Sequence, residues 1–78
     1  MSFNHIEETT KVIVLLNAEN QIDSAKKLQD TMRSASTGTE LIMGVRFHLL
    51  AIQPDSVSIS TMRQIQNLIG ELDKILQR

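Results

Sequence analysis

The chain contains no cysteine, tryptophan or tyrosine, and one proline in 78 residues. Each absence removes a class of structure or chemistry. Without cysteine there are no disulfides and no thiolate metal sites. The two histidines, His5 and His48, lie far apart and lack the neighbours that a structural zinc site requires. The aromatics are confined to Phe3 and Phe47. The three glycines, Gly38, Gly44 and Gly70, are isolated, so neither a phosphate-cradling loop nor a dinucleotide fingerprint fits. Charge of one sign is also lacking: eight basic and nine acidic residues leave a net charge of −1, and the basic residues are scattered. No basic run creates the potential that nucleic acid or an anionic membrane surface would need. No apolar run approaches the length of a bilayer span. The first eleven residues carry too much charge for a secretory signal. Together with the missing cysteine, this gives a cytoplasmic expectation.

What is present is aliphatic. Hydrophobic residues make up 41% of a chain long enough for one domain, residues 1–78. A domain of this size buries only about 60% of the surface its unfolded chain exposes. With disulfides and metals excluded, stability must come from packing or from association with another subunit.

Polar stretches at residues 17–20, 34–39 and 53–58 divide the chain into four segments of helical length. In the last, Met62, Ile65, Ile69, Leu72 and Leu76 recur at 3-4-3-4 spacing, with Leu68 and Ile75 broadening the seam. The pattern predicts a helix over about residues 58–77, capped by Ser58 or Ser60. The second segment has a lean stripe of Ile22, Ala25, Leu28, Met32 and Ala35, with Asn20 as its expected cap and Asp23–Lys27 as a favourable i,i+4 pair. The third begins at a Thr37-x-x-Glu40 capping box and ends before Pro54. The first starts at Asn4-x-x-Glu7 but contains Thr9, Thr10, Val12, Ile13 and Val14, a β-branched run that favours a strand. The expected fold is therefore an all-α, up-and-down four-helix bundle. The alternative is an α+β, two-layer βαβα arrangement.

Catalytic constellations are thin. His48 has no sequence neighbour to act as its orienting partner, so a packed histidine is the simpler reading. His5 and Glu8 share a helix face at i,i+3, but two ligands make no defined metal site. Ser56, Ser58 and Ser60 suit turns and caps better than nucleophilic roles. No catalytic residue, cofactor, metal or small-molecule substrate is assigned, and an enzyme is not expected.

The third segment carries the functional signal. Leu41, Val45, Leu49 and Ile52 fall on one helical face and suit a core, whereas Met43, Phe47 and Leu50 fall nearly opposite. The latter three have the i, i+4, i+7 spacing of anchors that seat a helix in a groove. The expectation is a protein-interaction module (an adaptor, inhibitor or regulatory subunit), homodimeric or bound to another protein through Met43, Phe47 and Leu50. The alternative is a small helix-turn-helix-like DNA-binding regulator that uses Ser60, Thr61, Arg63 and Gln64 at the start of the last helix. The longer, proline-containing connection and the missing basic supplement argue against it.

Overall fold

The β-branched run near the N-terminus is helical. The computed structural model describes residues 4–77. Its elements are α1 (His5–Ala18), α2 (Ile22–Ser34), α3 (Gly38–Leu50), a single 3₁₀ turn (Pro54–Ser56) and α4 (Ile59–Leu76). No strand occurs among the described residues, so the βαβα arrangement is not adopted. Two interactions make α1 tolerable for β-branched residues. The Thr9 and Thr10 hydroxyls donate to the carbonyls of His5 and Ile6, at 2.6 and 2.9 Å. Thr9, Val12, Ile13 and Leu16 then form the buried face. Tertiary burial outweighs a propensity deficit of a few tenths of a kcal/mol per residue.

The caps follow local chemistry. Asn4 Oδ1 accepts from the backbone N–H groups of Ile6 and Glu7, both at 3.1 Å. Thr37 Oγ1 accepts from Glu40 N–H, and Glu40 reaches back to Ser36 N–H rather than to that of Thr37. Ser58, not Ser60, caps α4, accepting from Thr61 N–H at 3.2 Å.

Asn20 does not cap α2. It sits at φ 63°, in the left-handed region, immediately after α1. Gln21 N–H bonds to Leu16 C=O at 2.8 Å and Asn20 N–H to Asn17 C=O at 3.1 Å. This is the Schellman pattern that closes a helix, with asparagine in the place more often held by glycine. The N-cap of α2 is Gln21, which makes no side-chain cap bond. Asp23 and Lys27 also fail to form the expected ion pair; among the described residues the ion pairs are Lys11 with Glu7 and Glu8, Arg46 with Asp73, and Lys74 with Glu71.

The helices pack in a ring: α1 on α2, α2 on α3, α3 on α4, and α4 back on α1. This is the four-helix bundle expected from the segment lengths and short connections. α1 contributes Val12, Ile13 and Leu16 to the core, and α2 contributes Ala25 and Leu28. Ile42, Val45, Leu49 and Ile52 come from α3 and the turn after it, and Ile65, Leu68 and Leu72 from α4. Two seams differ in phase from the sequence expectation. In α3, Ile42 is buried where Leu41 was expected, and Leu41 only flanks the core. In α4, the buried line runs Thr61, Ile65, Leu68, Leu72; Met62 and Ile69 are partly covered and Leu76 is exposed.

Gly44 allows α2 and α3 to approach closely. A Cβ built at Gly44 would meet the Cγ2 methyl of Thr31 at 2.6 Å. Thr31 is itself fixed by its hydroxyl, which donates to Lys27 C=O at 2.9 Å.

Candidate interaction surface

α3 is apolar on two sides, but the bundle covers one. Ile42, Val45 and Leu49 point into the ring, which turns Met43, Phe47 and Leu50 outward. Their exposures are 56%, 69% and 54%. Spacing of four and three residues stacks them along one stripe. Beside the stripe, Leu76 comes up from the last turn of α4, 38% exposed. Met43, Arg46, Phe47, Leu50, Ala51 and Leu76 line a shallow apolar groove of about 530 Å³.

One ion pair borders this groove. Arg46 Nε donates to Asp73 Oδ1 at 2.5 Å and ties α3 to α4. Cation and anion offset each other there. The His48 ring, half-buried, meets the Phe47 ring edge-on at 5.3 Å between centroids and 77° between planes.

The four residues at the start of α4 do not converge on one surface. Ser60 and Arg63 are exposed. Gln64 turns toward α1, lining a second shallow groove with Glu7, Thr10, Lys11, Val14 and Leu15. Thr61 is buried, 1% exposed, and its hydroxyl donates to Glu19.

Glu19 is the residue that sequence reasoning missed. It is half-buried at the C-terminal end of α1, yet its carboxylate reaches the first turn of α4. Glu19 Oε1 accepts from Ser58 N–H at 2.5 Å, and Oε2 accepts from the hydroxyls of Ser58, at 3.0 Å, and Thr61. Nearby, Gln21 Nε2 donates to Ser56 C=O at 3.1 Å. The Thr61 hydroxyl and then the Ser58 N–H hold the Glu19 carboxyl below its ordinary pKa. The contacts span about forty positions, beyond the reach of any local motif. The only local clue is an acidic residue beside a turn.

Other charged groups are local. Lys11 is held above its ordinary pKa by a hydrogen bond and attraction from Glu8. Among the described residues, no three His, Asp or Glu side chains are placed to share a metal ion. No described helix is long and apolar enough to cross a membrane. Comparison with protein families, characterised proteins and solved structures finds no significant match to this chain.

Proposed function

We propose that this chain is a protein-interaction module, an adaptor, inhibitor or regulatory subunit of the cytoplasm, that self-associates through the outer face of α3. One observation supports the reading above all others. Met43, Phe47 and Leu50 form a contiguous apolar stripe that no described helix covers. Monomers of this size rarely leave such a patch in water. Burying it removes apolar area from solvent at about 25 cal/mol per Å², and it supports a small core by mass action.

A second copy suits the rim. The charges of Arg46 and Asp73 offset each other, and the whole chain carries only −1. A two-fold contact sets the same patch against itself, so an uncharged apolar stripe is self-complementary without further specialisation. Phe47 would be the central anchor, as buried aromatics tend to dominate interface energy. Met43 can fit an irregular opposing surface.

The DNA-binding alternative draws less support. The hydroxyl of Thr61 is engaged inside the bundle, and the Glu19 carboxylate lies where a phosphate would approach the start of α4. Like charges there oppose binding.

Sedimentation at several concentrations tests the proposal. The expected mass rises with concentration toward twice the 8.8 kDa of one chain. Phe47→Asp should restore the single-chain mass while the helical far-ultraviolet spectrum persists. A wild-type chain that remains monomeric at every concentration would refute self-association.

A further inference from the structure

We propose that Glu19 is a releasable clasp, joining the turn after α1 to the first turn of α4, whose protonation opens that end of the bundle before the rest unfolds. The geometry carries the inference. Three donors converge on one carboxylate: Ser58 N–H on Oε1, and the Ser58 and Thr61 hydroxyls on Oε2. A carboxylate can accept all three; a carboxylic acid cannot do so without conflict. The backbone N–H of Ser58 has only a hydrogen to offer, so Oε1 must remain an acceptor. The proton therefore belongs on Oε2, where it meets two further donors.

The two hydroxyls differ in how they can respond. Ser58 Oγ already accepts from Thr61 N–H and lies 3.3 Å from Ser60 Oγ, so it has other partners at hand. Thr61 is 1% exposed, and no bond of its hydroxyl other than that to Glu19 is seen among the described residues. Turning its O–H away from a protonated Glu19 leaves a buried hydroxyl short of a partner, which is destabilising. The lowered pKa of Glu19 agrees with a site built for the charged form.

Among the described residues no charged side chain pairs with this carboxylate. The charged residues of the adjoining segments are Asp23 in the first turn of α2, Asp55 in the 3₁₀ turn and Arg63 in the second turn of α4, whereas the causes that shift Glu19 are its hydrogen bonds to Thr61 and Ser58 and its partial burial. Glu19 also rests at the junction of two helical hairpins, α1–α2 and α3–α4. At that end, among the described residues, the other side-chain bond between them is Gln21 to Ser56, which does not titrate. Acid thus removes one tie and leaves the other, so opening is confined to the start of α4.

Amide nuclear magnetic resonance of the intact chain between pH 7 and pH 3 tests this. The Ser58 and Thr61 amide resonances should titrate together with Glu19, at a midpoint below 4.5. Over the same range, hydrogen exchange at residues 61–65 should accelerate several-fold relative to residues 45–49 of α3. Glu19→Gln should abolish the titration and show the faster exchange already at pH 7. If that variant fails to fold, the wild-type titration decides alone. Exchange that rises equally in all four helices, or a Ser58 resonance indifferent to the Glu19 titration, would overturn the clasp.

Discussion

Gly44 of α3 and Thr31 of α2 fit so closely that a single added methyl on the glycine would lie 2.6 Å from the threonine Cγ2. That distance is well inside contact for two carbons, and a β-branched methyl cannot swing away cheaply. Gly44→Ala should therefore destabilise by about 1–3 kcal/mol from overpacking, partly offset by about 1 kcal/mol of better helix propensity. Thr31→Ser removes the opposing methyl and keeps the hydroxyl, so the double variant should recover most of the loss. Urea unfolding of the four-member cycle measures it. A Gly44→Ala variant more stable than wild type would mean that the helices part without cost.

Leu72 is fully buried, whereas Leu76, one turn on, is 38% exposed. Leu72→Ala should cost about 2–5 kcal/mol, much of the total for a domain this small. Leu76→Ala should cost under about 1 kcal/mol as a surface substitution. Equal losses in denaturant unfolding would contradict the phase of α4.

The contrast between these two leucines shows what a sequence pattern reveals. Periodicity locates the apolar side of α4, but Ile65, Leu68, Ile69, Leu72, Ile75 and Leu76 span too broad an arc to fix its centre. The centre is set by what lies opposite, and the buried line passes through a threonine. The same holds in α3, where Ile42 rather than Leu41 turns inward. Met43, Phe47 and Leu50 could be grouped from spacing alone, because they share a stripe whatever the exact phase. Glu19 could not be found in this way, since its partners belong to another hairpin.

Arg46 and Asp73 are both more than a third exposed, at 40% and 38% for their side chains. Their coupling energy, measured by a double-mutant cycle with alanine, should fall below about 1 kcal/mol and shrink as salt is added. A larger value that resists salt would show that the pair is shielded in the protein as it exists in solution.

Stability should weaken at both extremes of pH through two separate groups. Glu19 has a folded pKa below its ordinary 4.5, so its contribution is complete above that value and is lost as pH falls through the lower folded one. Lys11 has a folded pKa above its ordinary 10.5, so its smaller surface contribution is complete below 10.5 and is lost as pH rises further. Melting temperatures across pH should show an acid limb that flattens in Glu19→Gln and an alkaline one that flattens in Lys11→Met. An acid limb unchanged in Glu19→Gln would assign it to other carboxyl groups.

Asn20, at φ 63°, should tolerate glycine but not a β-branched residue. Asn20→Val should cost about 1–2 kcal/mol, the usual penalty for a left-handed L-residue, while Asn20→Gly should change stability by a few tenths. Thermal melts of the two variants check the difference.

The ring of four helices closes through one pair that is distant in sequence, α4 on α1; the other three interfaces join consecutive helices. Consecutive pairs can form with little loop-closure entropy, which places this topology among fast folders. The Glu19 contacts to Ser58 and Thr61 belong to the distant pair, at separations of 39 and 42 residues. They should therefore form after the rate-limiting step, so that losing them speeds unfolding and leaves the folding rate nearly unchanged. The residue that joins the two hairpins would then govern how long the native state lasts, and hardly at all how quickly it is reached.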